Sequence, residues 1–274
     1  GDQNPETSHI EKLWGLGYLP LRIKCVPEGM QVPIRCPMLT VENTLPEFYW
    51  LTNYIETLAS CSIWLPMTSA TAALQFKKLL TKYAKLTDSA NLGFVQFQGH
   101  DFSMRGMGSL ESACMSGAGH LTSFTGTDTI PAISFLEHYY GANIEKELVG
   151  TSIPATEHSV EEAAGQDEEA AIRRLITEVY PKGFVSRVSD TWNLWDVITK
   201  VLPNLKKEIM GRDGRLVIRP DSGDPVKIVT GDDDALEGTP ERKGVIELLY
   251  EIFPGPNTKE GYKTLDPHIG CIYG

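Results

Sequence analysis

The chain has 274 residues, of which 41% are hydrophobic and 22% are charged, and its formal net charge is −11. This composition is typical of a globular protein with one large core or two modest ones, and the negative charge disfavours binding to nucleic acid or to an anionic membrane surface. Five scattered cysteines lack the spacing of a zinc site, so we expect reduced thiols and a cytoplasmic protein.

Residues 1–88 are predicted to form a first, smaller α+β unit. Strands are expected at residues 21–25 and 30–34, and helices at residues 46–60 and 71–83. The apolar stretch at residues 58–74 contains Pro66 and many hydroxyl groups, so we interpret it as a buried helix-loop-helix and not as a membrane span.

From residue 89 onward, predicted strands alternate with predicted helices. Strands are expected at residues 93–98, 121–124, 184–188 and 216–219. Helices are expected at residues 109–118, 130–140, 160–180, 191–201 and 240–252. Each strand is followed by ionisable or hydroxyl side chains. This pattern predicts a parallel α/β barrel whose active site lies at the carboxyl ends of the strands.

The segment after the strand at residues 216–219 combines an arginine with two acids. Arg219 ends the apolar run, and Asp221 and Asp224 flank a Ser-Gly turn. A guanidinium group binds phosphate or carboxylate, and carboxylates bind ribose hydroxyls or magnesium. An Asp-Ser-Gly sequence without the arginine would indicate an ordinary turn.

Several segments, in this order, resemble the nicotinamide phosphoribosyltransferases, a family of type II phosphoribosyltransferases. They are Val26-Pro27-Glu28-Gly29, residues 40–44, residues 49–53, residues 93–106 with His100-Asp101-Phe102, residues 121–129 with Gly126-Thr127-Asp128-Thr129, residues 154–159, residues 184–190 and residues 216–225. The resemblance extends from about residue 19 to the last residue. It implies an incomplete TIM-like α/β barrel at residues 89–274 and part of an α+β N-terminal domain at residues 1–88. We therefore expect an internal fragment that lacks both ends of the enzyme and is inactive alone.

The resemblance implies a pyridine-binding site at four residues. Phe102 would stack on the pyridine ring, Arg105 would donate to the carboxamide oxygen, and Ser152 would bind near the carboxamide. Asp128 would accept from the amide nitrogen and repel the carboxylate of nicotinate. The residues alone leave two alternatives, a core phenylalanine beside a surface arginine and an Asp128 that caps the next helix.

Three positions depart from the family pattern. Ser103 and Met104 stand where members usually have Gly and Tyr, and Asp224 stands where Asn is commoner. The first two change the local wall of the expected pyridine pocket. The third adds a negative charge near the expected phosphoribosyl site.

His158, Asp190 and Asp221 are the catalytic candidates. By resemblance, His158 is phosphorylated by ATP, while Arg219, Asp221 and Asp190 line the phosphoribosyl pocket and magnesium binds chiefly through pyrophosphate. The residues alone also allow His158 to cap a helix and Asp190 to be an ordinary N-cap. Residues 159–162 have the sequence of a capping box.

The implied activity transfers phosphoribosyl from phosphoribosyl pyrophosphate to nicotinamide, giving nicotinamide mononucleotide and pyrophosphate in NAD biosynthesis. Members of the family act as homodimers, so a second copy is the expected partner. Three alternatives stay open: a nicotinate phosphoribosyltransferase, a catalytically incomplete ligand-binding fragment, and an unrelated phosphate-binding barrel enzyme.

Overall fold

A computed structural model describes residues 6–274, so the first five residues of the predicted N-terminal domain lie outside it. The helices are α1 (Ser8–Leu16), α2 (Leu51–Thr87), α3 (Ser103–Gly106), α4 (Leu110–Leu121), α5 (Pro131–Tyr140), α6 (His158–Ala164), α7 (Glu168–Arg174), α8 (Leu194–Asp196), α9 (Leu202–Asn204), α10 (Lys206–Met210), α11 (Pro225–Thr230) and α12 (Pro240–Ile252). The strands are β1 (Leu21–Cys25), β2 (Leu39–Asn43), β3 (His100–Asp101), β4 (Gly126–Thr127), β5 (Lys182–Val188), β6 (Asp213–Arg219), β7 (Pro254–Asn257), β8 (Lys263–Leu265) and β9 (Ile269–Cys271).

Most of the parallel strands lie side by side in chain order. β3 pairs with β4, and β5 pairs with β6, which pairs with β9, all in parallel. The intervening residues 151–155 connect the two groups, because Thr151 bridges to Gly126 and Ala155 bridges to Ser186, again in parallel. The fold is therefore a mixed α/β structure in which the carboxyl ends of neighbouring strands meet at one edge. No closed barrel is formed by the described part of the chain.

The hydrophobic core lies between this sheet and the helices that follow its strands. Its fully buried members include Val185, Leu216, Ile218, Ile198, Leu202, Ile209 and Leu249. Burying one such side chain contributes about 1.5–3 kcal/mol. The predicted strands at residues 184–188 and 216–219 are confirmed as β5 and β6. These two strands are thus held rigidly where they end.

Two predicted strands near the first half of the sheet are wrong. Residues 89–97 form a 3₁₀ helix, in which Phe94 and Phe97 pack on each other with ring centroids 6.2 Å apart. The alternating apolar residues therefore do not alternate between two faces of a sheet. Leu121 is the last residue of α4, Phe124 stacks on His120 just after that helix, and the strand begins only at Gly126.

The N-terminal hairpin differs from its prediction in its second strand. β1 is confirmed, but it pairs with β2 so that Leu21 lies opposite Asn43. The predicted strand at residues 30–34 is instead a loop. Pro33 has no N–H group to donate to a ladder, and Arg35 has a φ of 69°.

The predicted helix-loop-helix at residues 58–74 is wrong, because α2 is one 37-residue helix that contains Pro66. Its hydroxyl groups bond within the helix, as when the hydroxyl of Thr68 donates to the carbonyl of Trp64. α4 packs closely on this part of α2, since a Cβ on Gly119 would lie 2.6 Å from the carbonyl oxygen of Pro66. No helix of the described chain is long and apolar enough to cross a membrane.

Later helices confirm some predictions and correct others. α4 and α5 match the predicted helices at 109–118 and 130–140. α12 has the bounds of the helix predicted at 240–252, but it is kinked at Gly244, whose φ is 76°. The single helix predicted at 160–180 is broken at Gly165, whose φ is 88°, into α6 and α7. α6 begins at His158 without a side-chain cap, so the predicted capping box at 159–162 is wrong. The helix predicted at 191–201 begins three residues later, at Leu194.

Candidate functional site

His158 lies where β5 and β6 end. Its Nε2 is 3.2 Å from Oδ2 of Asp221 and 3.8 Å from Oδ1 of Asp190, and its Nδ1 is 3.1 Å from the hydroxyl of Thr191. The imidazole is 43% exposed, so a ligand can reach it. The structure therefore brings together all three predicted catalytic residues, around a histidine held at both ring nitrogens.

Asp190, which follows β5, forms hydrogen bonds to the turn after β6 and does not cap a helix. Its Oδ2 accepts hydrogen bonds from the backbone N–H of Asp221 at 2.8 Å and from the hydroxyl of Ser222 at 2.6 Å. The following helix, α8, is capped by Asn193 instead. The other oxygen of Asp190, Oδ1, is buried and has no hydrogen-bond partner in the described chain. Asp190 thus fixes the turn that carries Asp221 and keeps one oxygen free.

Arg219 is the last residue of β6 and stands next to these acids in sequence. It forms no salt bridge within residues 6–274, and its Nε is buried without a hydrogen-bond partner. A guanidinium group with unused donors suits an anionic ligand. Asp224 accepts from the backbone N–H groups of Val226 and Lys227, so its carboxylate caps α11.

A second cluster forms around Asp128, immediately after β4. Oδ1 of Asp128 accepts from Nε2 of His100 at 2.9 Å and from the hydroxyl of Ser152 at 2.5 Å. α5 has no side-chain cap, so the alternative in which Asp128 caps that helix is wrong. No hydrogen bond from another described residue reaches Oδ2, and the side chain is 41% exposed. One carboxylate oxygen is held, and the other is available.

Phe102 and Arg105 lie beside this cluster. The Phe102 ring is 39% exposed and sits 4.8 Å from the His100 ring, so it is not a core phenylalanine. Arg105 pairs with Glu157 at 3.2 Å. Because Glu157 precedes His158, this pair joins the Asp128 cluster to the His158 cluster.

The departures at Ser103 and Met104 have different local effects. The hydroxyl of Ser103 lies 2.5 Å from Oδ1 of Asp101 and 2.8 Å from the hydroxyl of Ser116, which ties α3 to α4. Met104 is 48% exposed, and its backbone N–H donates to the hydroxyl of Thr129. Ser103 therefore stabilises the segment that carries Phe102 and Arg105.

A buried ion cluster anchors the helix that begins with His158. Nη2 of Arg187 lies 2.7 Å from Glu161 in α6 and 3.2 Å from Glu168 in α7. All three side chains are at least nine-tenths buried. Burial raises the pKa of Glu168, although Arg187 opposes that shift. Arg187, on β5, thus fixes both helices to the sheet.

Sequence reasoning did not assign roles to His100, Thr191 or Ser222, which all contact predicted site residues. His100 offered a signal, because it is an ionisable residue two positions before Phe102 at a predicted strand end. Thr191 and Ser222 offered none, since hydroxyl residues are common in turns. No group of three or more His, Cys, Asp or Glu side chains between residues 6 and 274 is arranged to hold a metal ion.

The chain is similar in sequence to proteins of known family. The model of the nicotinate phosphoribosyltransferase (NAPRTase) family matches residues 97–274. The chain belongs to this family. It is also 50% identical, over its whole length, to the nicotinamide phosphoribosyltransferase of Acinetobacter baylyi, of which it covers 55%.

Two further relatives have lower sequence identity and carry the same name. Nicotinamide phosphoribosyltransferases of Xanthomonas campestris pv. campestris and Mycoplasma pneumoniae are each 36% identical to the chain, over 94% and 93% of its length. The chain covers 52% and 54% of these two proteins. It therefore spans about half the length of the curated relatives that it matches.

Proposed function

We propose that the protein carrying this chain is a nicotinamide phosphoribosyltransferase, which makes nicotinamide mononucleotide and pyrophosphate in NAD biosynthesis. The observation that carries the proposal is the free Oδ2 of Asp128, since His100 contacts both the other oxygen of this carboxylate and the exposed Phe102. The names of the relatives support the same substrate.

The pyridine site uses four side chains. Phe102 stacks on the ring, Arg105 donates to the carboxamide oxygen, and Asp128 accepts from the amide N–H group, next to Ser152. Nicotinate would place its carboxylate against that of Asp128, and this repulsion disfavours the alternative of a nicotinate phosphoribosyltransferase.

The second substrate is phosphoribosyl pyrophosphate, bound at the ends of β5 and β6. The pyridine nitrogen displaces pyrophosphate from C1 of the ribose, and the carboxylates of Asp221 and Asp190 stabilise the positive charge that develops on the sugar. The unused donors of Arg219 bind phosphate oxygens. These cationic contacts offset the net negative charge of the chain within the cleft.

Mg²⁺ fits this site as a partner of the pyrophosphate. Oδ1 of Asp190 is buried without a partner and faces the same space as Asp221. Asp190 and Asp221 would hold the ion together with pyrophosphate oxygens and water, because two carboxylates supply fewer ligands than Mg²⁺ takes. When bound, the ion neutralises charge on the leaving pyrophosphate.

ATP is the coupling substrate, and His158 accepts its phosphoryl group. The imidazole is exposed, and its orientation is fixed by Asp221 and Thr191. A neutral ring nitrogen is a nucleophile near neutral pH. Hydrolysis of the phosphohistidine favours formation of the mononucleotide. The link from Glu157 to Arg105 connects this residue to the pyridine site.

The architecture of the whole enzyme is part of the proposal. The six parallel segments in chain order support an incomplete TIM-like barrel at residues 89–274, with part of a smaller domain at residues 1–88. We further propose that the enzyme is cytoplasmic. It forms a homodimer in which the partner subunit completes each active site. A ligand-binding fragment without activity is the second candidate, because this chain covers half of its relatives.

Product formation tests the proposal directly. A protein of the relatives' full length that carries this segment is incubated with Mg²⁺, phosphoribosyl pyrophosphate and either pyridine, and products are separated by chromatography. We expect nicotinamide to be converted much faster than nicotinate. A preference for nicotinate would contradict the proposal. Binding of nicotinamide without product would favour the ligand-binding candidate.

A further inference from the structure

His100 contacts two of the residues that we assign to the pyridine site. Its Nε2 lies 2.9 Å from Oδ1 of Asp128, and its ring centroid lies 4.8 Å from that of Phe102. The imidazole is 16% exposed, whereas the Asp128 side chain is 41% exposed, so a ligand has less access to His100 than to Asp128. His100 is therefore placed behind both the amide acceptor and the stacking ring.

Both hydrogen bonds to the Asp128 side chain go to one oxygen, Oδ1. A carboxylate only accepts, so Nε2 of His100 carries the proton of their hydrogen bond. The hydroxyl of Ser152 donates to the same oxygen, Oδ1. Two donors on one oxygen fix the plane of the carboxylate and leave Oδ2 to the ligand.

The strand next to His100 is shaped to admit the imidazole. A Cβ on Gly126 would lie 2.7 Å from Nδ1 of His100 and 2.7 Å from the carbonyl oxygen of Gly99. Only glycine lets the ring lie against β4 at this distance. The glycine of the Gly-Thr-Asp segment thus provides the space that His100 needs to reach Asp128, two residues further along.

We propose that His100 is a positioning residue for substrate specificity: it holds Oδ1 of Asp128 so that Oδ2 selects an amide donor over a carboxylate. The inference rests on the proposed function. A primary amide donates an N–H to Oδ2, whereas a ligand carboxylate has no proton to give and is repelled. If the Asp128 side chain were free to rotate, its negative charge would remain, but Oδ2 would no longer be held in position to accept from the amide N–H of the ligand.

Two replacements of His100 separate the donor from the ring. His100→Leu removes the N–H donor, and His100→Gln retains one. We expect His100→Leu to lower kcat/KM for nicotinamide by about tenfold or more, as for the loss of a hydrogen bond to a charged group, with a smaller change for nicotinate and for the KM of phosphoribosyl pyrophosphate. His100→Gln should retain most of the selectivity. His138→Leu, at an exposed histidine of α5, is the matched control and should change nothing.

A double-mutant cycle with Asp128→Asn tests whether His100 acts through Asp128. In that background, His100→Leu should cost less than about twofold, since the charged acceptor is already absent. His100→Met, which also lacks a donor, makes the same comparison if the Leu variant does not melt cooperatively. Gly126→Ala should displace the ring and lower nicotinamide selectivity in the same direction.

Three results would overturn the inference. Unchanged selectivity in both His100→Leu and His100→Met would show that the hydrogen bond does not position Asp128. An equal loss with and without Asp128→Asn would show that His100 acts through packing alone. A wild-type protein that prefers nicotinate would overturn the proposed function as well, whereas either of the first two results in a nicotinamide-selective protein overturns this inference only.

Discussion

The two halves of the molecule use their apolar residues in different ways. In the region from β5 to β9, side chains such as Leu216 and Leu249 are completely buried in one core. In the N-terminal region, the 37-residue helix α2 buries only Leu51 and Ala73. Trp64, 62% exposed in α2, lines an apolar groove with Met38 and Val41. The later region fixes the ends of β5 and β6 within one core, whereas the earlier region presents surface suited to further contacts.

The largest expected effect concerns the buried ions of the later region. Arg187→Met leaves Glu161 and Glu168 without their partner, and we expect it to lower the free energy of unfolding by about 3–5 kcal/mol. Denaturant titration measures this change. Arg174→Met, at an arginine whose pair with Glu178 is exposed, is the control and should have little effect. A small effect of both variants would mean that the cluster does not anchor α6.

The next effect concerns the coupling chemistry at the end of the sheet. His158→Ala should abolish stimulation by ATP while leaving slower transfer without ATP, because the displacement itself uses other groups. Initial rates with and without ATP measure the change in the full-length protein. His268→Ala, at a histidine paired with Asp266 away from this cluster, is the control. Equal loss of basal and stimulated rates with an intact fold would contradict this division of roles.

Thiol reactivity should distinguish the two regions. Burial raises the pKa of Cys271 to about 12 and also raises the pKa of Cys114, so both thiols stay protonated. Cys25, Cys36 and Cys61 are exposed in the N-terminal region. We expect alkylation at pH 8 to modify these three first, the partly buried Cys271 slowly, and the buried Cys114 only on unfolding. Mass spectrometry of a time course identifies each site, and rapid labelling of Cys271 would contradict the assignment of a closed core.

The smallest effect concerns the exposed face of α2. The 274-residue chain alone should self-associate through this apolar surface, and Trp64→Gln should reduce the association with little loss of stability. Sedimentation velocity measures the association. Ile246→Gln, at a partly exposed residue of α12, is the control on the other region. A monodisperse wild-type chain would show that the apolar face of α2 does not drive self-association.

The sequence predicted the parts of the fold where one local pattern dominates. The apolar residues of β5 and β6 and the helix α5 are such cases. It failed where tertiary contacts decide the outcome. Pro66 suggested a loop, but α2 continues through it, at a place where Gly119 of α4 packs closely on its backbone. The apolar alternation at residues 93–98 indicated a strand, but those residues form a 3₁₀ helix.

The candidate site was predictable to the extent that residue types follow strand ends. Asp190 and Asp221 follow predicted strands, whereas the role of His158 came from the resemblance to the family, and the three side chains lie together. The residues that support these side chains were not predictable. No local sequence pattern indicates that His100 contacts Asp128, 28 positions away, or that Ser222 donates to Asp190. Such contacts depend on strand order, which periodicity alone does not specify.

Competition between nicotinamide and nicotinate in the full-length protein, with and without Asp128→Asn, is the sharpest test of the role of Asp128. We expect the wild-type protein to prefer nicotinamide strongly. Asp128→Asn should weaken nicotinamide use and reduce the preference, because the neutral amide keeps a partial acceptor and no longer repels a carboxylate. An unchanged ratio of the two products would contradict this role and reduce Asp128 to a residue of the turn after β4.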